Sequence, residues 1–257
     1  MNSCPVTKSD RNTVASLVEG LVVNASNCLR KIIFPFLCTG TRLVEFIVAV
    51  ICFYPNTRFL RVDMQLSLSY FALNPYRICE NYLKDWSSYD VQKVYGETFL
   101  TTLASIGRAV NLSEKDVVYE LGCGRGRCVF WFNAFYKCRT IGVDINPVFI
   151  DKARRIKSAL KFDNVEFKLA SIMDVRFDDA TIIYLYGTAF EDHAVERLVE
   201  RFSHLTPGTR VVSVSYPLTA YMKEPLFELE QELAARFLWG YTTVYVQRKL
   251  PANARSD

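Results

Sequence analysis

Histidine is nearly missing from this chain. His193 and His204 are the two among 257 residues, and neither has a cysteine or histidine at metal-ligand spacing. The eight cysteines are scattered, and none forms a Cys-x-x-Cys pair. No metal site is expected from such a pattern. The thiols read instead as free cysteines of a reducing compartment, the cytoplasm. No block of like charge occurs, and the net charge of +4 falls far short of a dedicated Lys/Arg stripe. A nucleic-acid partner therefore has no signal here. No repeat or low-complexity tract is present. No apolar run directly follows Lys8, Asp10 and Arg11, so a cleaved secretion signal is not expected. Long uncharged apolar runs are lacking too. The stretch from Leu29 to Tyr54 is interrupted by Arg42 and Glu45 and broken by Pro35. Its uncharged run from Phe46 to Asn56 is well below the ~20 residues that span a bilayer. The segment 29–54 reads as a buried helix packed on the main domain. The alternative is a peripheral membrane contact.

Half of the residues are apolar, enough to bury one full core. Residues 1–90 read as an N-terminal helical accessory segment, with a turn at Asn74-Pro75. The polar run Asp85 to Asp90 is the candidate boundary, and residues 91–250 form the main domain. There, strands and helices alternate. Val91 to Val110 reads as a helix and Val117 to Leu121 as a short buried strand. Cys128 to Tyr136 is a helix, Thr140 to Val143 a strand, and Pro147 to Leu160 a helix. Val165 to Leu169 and Thr181 to Tyr186 are strands, Asp192 to Ser203 is a helix, and Arg210 to Ser215 is a strand. Phe227 to Leu233 and Thr242 to Gln247 complete the set. Such alternation predicts an α/β fold with a mostly parallel sheet and helices on both faces. The final pair adds an antiparallel edge.

The densest signal is Glu120-Leu121-Gly122-Cys123-Gly124-Arg125-Gly126-Arg127. Alternate glycines between a strand and a helix let the backbone approach a ligand closely. The loops at the carboxyl ends of parallel strands are where such sheets bind. A dinucleotide turn, G-x-G-x-x-G, wants its third glycine at 127, where this chain has Arg127. Gly-x-Gly-x-Gly after an acidic residue is similar instead to motif I of the class I S-adenosylmethionine-dependent methyltransferases. Gly142-Val143-Asp144 then places a carboxylate at the end of the second strand. That carboxylate can accept both hydroxyls of a ribose; its plain alternative is capping the helix that starts at Pro147. After the third strand come Ser171 and Ile172, with Asp174 just beyond. Ser171 or Asp174 is the candidate to meet an adenine amino group.

Val94-Tyr95-Gly96-Glu97-Thr98 resembles the VYGET signature of the disruptor-of-telomeric-silencing (Dot) histone lysine methyltransferases. Ile183 to Phe190 (IYLYGTAF) resembles that family's IFVNNFAF, and RVVSVSYPL its RIVSSKPF. The resemblance covers about residues 90–250. It implies a Rossmann-like, seven-stranded class I methyltransferase sheet that uses S-adenosyl-L-methionine. Tyr95 and Thr98 would fold over the methionine end. Glu120, Gly122, Gly124 and Gly126 would hold the amino-acid and ribose portion, and Asp144 the ribose. Tyr186, Gly187 and Phe190 would line the nucleophile's channel, with Tyr184 and Trp239 as further wall residues. The chain departs from the family at several positions. Tyr186-Gly187 replaces an Asn-Asn pair, Arg127 a glutamine, and Ser171 an acid. The family's basic tail has no counterpart in PANARSD. Cofactor use carries over; histone specificity does not. His193, after Glu191 and Asp192, reads as exposed rather than as a general base. The implied activity is N-methylation of a protein lysine. The alternatives are a membrane-proximal methyltransferase of a lipid or small molecule, and a non-catalytic cofactor-binding module.

Overall fold

The computed structural model describes residues 39–84, 95–188, 190–222, 224–238 and 240–251. Two compact units divide the chain, residues 1–46 and 47–257. In the first, residues 39–46 are helical and expose Leu43, Val44 and Phe46. The second unit opens with a π-helical turn, Ala49–Phe53, followed by α1 (Thr57–Ser69) and α2 (Pro75–Leu83). After α3 (Leu100–Ala109) come β1 (Val117–Leu121), α4 (Arg127–Tyr136), β2 (Arg139–Asp144), α5 (Pro147–Ala159) and β3 (Val165–Leu169). The chain continues through β4 (Ile182–Leu185), α6 (Asp192–Phe202), β5 (Arg210–Val214), β6 (Phe227–Phe237) and β7 (Gly240–Lys249).

The seven strands form one sheet in the order β3-β2-β1-β4-β5-β7-β6. β1 to β5 are parallel, and β7 runs antiparallel between β5 and β6. The central strands are apolar on both faces because helices cover both. Alternation then splits the core. Val118, Tyr184 and Val212 join Leu103 and Trp131 on one face; Tyr119, Ile183 and Val211 join Leu198 and Phe202 on the other. A third cluster unites Val62 and Leu66 of α1 with Phe130 of α4, Ile150 of α5 and Phe167 of β3. Each fully buried aromatic or aliphatic side chain there contributes roughly 1.5–3 kcal/mol. The helices at 57–83 therefore share a core with the sheet.

Local signals explain the boundaries. Asn56, Asn74 and Asn146 each cap a helix through their side chains, and Pro75 and Pro147 occupy first-turn positions. Three sequence expectations need correction. The helix expected from Val91 begins at Leu100, because Tyr95 to Phe99 is irregular. Gly96 in that stretch has low helix propensity, and Thr98 spends its hydroxyl on Tyr184, 2.5 Å away. Residues 91–94, and the boundary proposed at Asp85 to Asp90, lie outside the described residues. The last two strands are longer than read: β6 continues past Leu233 to Phe237, where the Ala234-Ala235 pair breaks the alternation, and β7 spans Gly240–Lys249. The segment 29–54 is not simply a buried helix. Residues 29–38 lie outside the described part; Ala49 and Phe53 enter the core, while Ile47, Val50 and Ile51 stay exposed. Among the described residues no helix is long and apolar enough to cross a membrane.

Candidate functional site

The turn after β1 takes its shape from its glycines. Gly122, Gly124 and Gly126 have φ of 79°, 50° and 80°, a region that side chains with a Cβ rarely occupy. The amides of Gly122 and Cys123 both donate to the Val143 carbonyl, at 2.8 and 2.9 Å. A Cβ on Gly126 would stand 2.4 Å from the Phe167 ring. Gly126→Ala is therefore expected to cost roughly 2–4 kcal/mol, from positive-φ strain plus overpacking. Chemical denaturation checks it; a loss below ~1 kcal/mol would show that the turn relaxes freely.

Asp144 sits at the end of β2, directly across this turn. Its Oδ2 accepts from the Gly124 amide and its Oδ1 from the Asn146 amide, both at 2.8 Å. Burial raises the carboxyl's pKa, and the amides of Asn146, Gly124 and Ile145 pull it back. The helix cap that the sequence allowed for Asp144 belongs to Asn146, which accepts from Val148. Asp144 keeps free lone pairs, since a carboxylate offers about four acceptor positions.

A solvent-open cleft with about 710 Å³ of empty space lies over the turn. Of the residues singled out in the sequence, Tyr95, Gly122, Gly124, Asp144, Ser171, Ile172, Tyr186 and Phe190 line it. Thr98 and Glu120 line a smaller adjoining cavity of about 340 Å³. Tyr95, Gly96, Gly122 and Tyr186 border both spaces. Gly126 lies behind the turn, against Phe167. Asp174 is exposed and is not among the cleft residues, whereas Ser171 and Ile172 are. Tyr184 is no channel wall: it is fully buried in the core and bonded to Thr98. His193 is exposed, near Glu191. Trp239 and Ala189 lie outside the described residues.

Tyr95 is fixed from several sides. Its ring packs on Phe149 and Tyr76, with centroids at 5.4 and 5.1 Å. Its hydroxyl donates to Glu97, which also pairs with Arg125. Burial raises the Tyr95 pKa well above the ordinary phenol value, so the hydroxyl keeps its proton. Gly96 leaves room for Tyr186, whose ring edge would lie 2.5 Å from a Cβ there. Tyr186 in turn packs on Phe237 of the terminal hairpin at 5.4 Å.

Glu120 is the electrostatic anomaly. It is buried, and its Oε2 has no hydrogen-bond partner. Burial pushes its carboxyl up to about 8, against the lowering effect of the Cys128 thiol and the Val129 amide. Beside it, Arg127 is clamped by Asp63 of α1. Two parallel bonds of 2.7 Å join the guanidinium to the carboxylate, and Tyr54 donates to the same carboxylate at 2.8 Å. Sequence reading missed Asp63, Asn146 and Phe149. The Asn146-Pro147 cap was a readable signal; Asp63, 64 positions before Arg127, gave none.

Solved structures share this architecture. An RNA methyltransferase from Salinibacter ruber, in complex with S-adenosyl-L-homocysteine, matches with a TM-score of 0.52 and 24% identity. The match covers 63% of this chain and 97% of that one. A magnesium protoporphyrin IX methyltransferase from Synechocystis PCC 6803, with bound SAM, matches with a TM-score of 0.50 and 12% identity, over 69% and 98% of the two chains. The chain has the class I methyltransferase fold. Residues 120–224 of this methyltransferase fold also match the model of the ANTKMT methyltransferase domain. A histone-lysine N-methyltransferase, H3 lysine-79 specific, from Dictyostelium discoideum is 25% identical over 176 residues, 63% of this chain. The chain spans only 10% of that relative's length. A protein-lysine N-methyltransferase from Saccharolobus islandicus (strain REY15A) is 29% identical over 129 residues, 46% of this chain and 74% of that one. The likeness to histone lysine methyltransferases, read first from Val94 to Thr98, is met in the Dictyostelium discoideum relative.

Proposed function

We propose that this chain is an S-adenosylmethionine-dependent methyltransferase that N-methylates a protein lysine, with residues 91–250 as its catalytic domain. One observation carries the cofactor half: the Asp144 carboxylate is held by backbone amides against a glycine turn that floors the cleft. The site fits the group chemically. Asp144 suits the ribose hydroxyls, and the Glu120 Oε2, without a partner among the described residues, suits the ammonium of an amino acid. When bound, S-adenosylmethionine supplies a methyl group already activated on a sulfonium. Gly122, Gly124 and Gly126 would bring the backbone close, and Ser171 and Ile172 would meet the adenine. Tyr95 and Thr98 would close the methionine end.

Tyr186 and Phe190 would align and desolvate the amine, and alignment alone is worth ~7–11 kcal/mol. A lysine has a free pKa near ~10.4, and an aromatic channel lowers it by disfavouring the cation. The two lysine methyltransferase relatives support a protein substrate. Free thiols at Cys79, Cys123, Cys128 and Cys138 support a reducing compartment such as the cytoplasm. Exposed Ile47, Val50 and Ile51 support a peripheral membrane contact through 29–54, which flotation with lipid vesicles would test. The deciding experiment for the activity is incubation with methyl-labelled cofactor and cell lysate, then mass spectrometry of labelled peptides. Label on lysine supports the reading; cofactor binding with no transfer would make the chain a binding module.

Glu120 gives this reading a pH signature. Its folded pKa of about 8 lies above the ordinary carboxyl value of 4.5, so the ligand-free fold loses stability as pH climbs between those values. An ammonium ligand reverses the shift and ionises the carboxyl. At pH ~6.5 cofactor binding is therefore expected to release nearly one proton, and affinity to rise roughly tenfold per pH unit. The effect fades near pH ~8, where an α-amino group itself titrates. Calorimetry in buffers of different ionisation enthalpy measures the proton count, and Glu120→Gln should abolish it. A count near zero for the wild type would remove Glu120 from the ammonium site.

A further inference from the structure

Beyond the end of β5 the chain reverses sharply. Ser215 takes a left-handed φ of 76°, which stops the strand and turns Tyr216 toward the end of β4. The Tyr216 backbone is held there by a buried relay. The Ser213 hydroxyl donates to the Tyr216 carbonyl at 2.6 Å, and the Gln247 amide donates to Ser213 at 3.1 Å. The ring packs edge-on against Tyr221 at 5.7 Å, and the Tyr221 hydroxyl donates to Asp192 at 3.0 Å. So both the backbone and the ring of Tyr216 are fixed.

Its hydroxyl, by contrast, is buried and finds no hydrogen-bond partner among the described residues. An unpaired buried phenol is less stable than phenylalanine in the same place, so packing does not account for it. The hydroxyl lies 2.7 Å from the point where a Cβ on Gly187 would stand, and the Phe190 ring lies 2.6 Å from that same point. Position 187 is where the resembling family carries a carboxamide. Here the glycine leaves that volume to the Tyr216 hydroxyl, from just beyond β5, and to a ring that lines the cleft.

We propose that Tyr216 is an acceptor-binding residue: its hydroxyl takes a hydrogen bond from the incoming amine in place of the missing carboxamide at 187. This rests on the methyltransferase reading above. A rotamer change of Phe190 opens the path, a local motion that needs no backbone shift. Burial holds the phenol far above its ordinary pKa, so it stays neutral and serves as an orienting group rather than a base. The amine reaches it already deprotonated, its surplus proton lost to water. The nitrogen lone pair then forms the N–C bond as the methyl's C–S bond breaks. The C–S electron pair passes to sulfur, and the proton left on the methylated nitrogen goes to solvent.

Tyr216→Phe tests the assignment, because it deletes an oxygen with no partner and keeps the ring. With labelled S-adenosylmethionine and lysate protein as the acceptor, the transfer rate is expected to fall roughly 10- to 100-fold, the loss of one hydrogen bond to a reacting amine. Cofactor affinity by calorimetry should stay within about twofold, and the melting temperature should be equal or higher. A variant as fast as an active wild type overturns the role of Tyr216 and leaves the methyltransferase reading intact. Parallel loss of cofactor affinity or of melting temperature also overturns it, by making Tyr216 a packing residue. A wild type that binds cofactor but labels no protein overturns it together with the lysine reading. A wild type that does not bind cofactor sinks the methyltransferase reading beneath both.

Discussion

Asp144→Ala is expected to weaken S-adenosylmethionine binding roughly 100- to 10,000-fold. Two hydroxyl bonds to a carboxylate are worth about 1.5–3 kcal/mol each, and every ~1.4 kcal/mol is tenfold in affinity. The carboxylate is also preorganised. The Gly124 and Asn146 amides fix both oxygens at 2.8 Å, so little rotamer entropy remains to be lost on binding. The same bonds tie β2 to the glycine turn, so the alanine variant also loosens that turn. Thermal melting separates the two contributions. A folded variant with unchanged affinity by calorimetry would remove Asp144 from the ribose site, and with it the main support for the cofactor assignment.

Asp63→Ala is expected to lower stability by ~3–5 kcal/mol, because it strands a buried guanidinium. Arg127 is the first residue of α4, where the positive end of the helix dipole already disfavours a cation. Asp63 supplies the opposing charge, with its side chain 9% exposed and that of Arg127 19%. Burial works against the Asp63 carboxylate, but the bonds and charge of Arg127 outweigh it and leave its pKa lowered. That contribution is present above the ordinary value of 3.8 and is lost as pH falls through the depressed one. The double variant Asp63→Leu with Arg127→Met should recover most of the stability, since an apolar pair needs no desolvation. Urea unfolding at pH ~7 and at pH ~3 measures both effects. A single variant within ~1 kcal/mol of wild type would mean that water reaches the guanidinium.

The half of the site around the glycine turn was legible because it is local. Glu120 to Arg127 and Gly142 to Asp144 lie at the ends of adjacent parallel strands, and strand pairing brings them together. The register sets Glu120 opposite Gly142 and Leu121 opposite Val143. The half around Tyr186 was harder to read. Tyr184 on β4 and Tyr186 just beyond it are two apart and pack on the same sheet face, yet one is sealed in the core and the other borders the cleft. β4 ends at Leu185, so only Tyr186 escapes the covering helices. The helix drawn through Tyr95 failed for a related reason: its apolar spacing suits a helix, but Gly96 and Thr98 are taken by contacts with Tyr186 and Tyr184.

By itself, the sequence determined the order of strands and helices, the glycine turn, and the carboxylate at the end of the second strand. Those features depend on periodicity, on backbone angles open to glycine, and on neighbours along the chain. Only the tertiary structure decided that Asp63 neutralises Arg127, that the Glu120 Oε2 is buried without a partner among the described residues, and that the Tyr216 hydroxyl fills the space beside Gly187. Each depends on burial and on contact between residues far apart in sequence. Desolvation and pairing are set by what surrounds a group in space, and the one-dimensional chain does not carry that information.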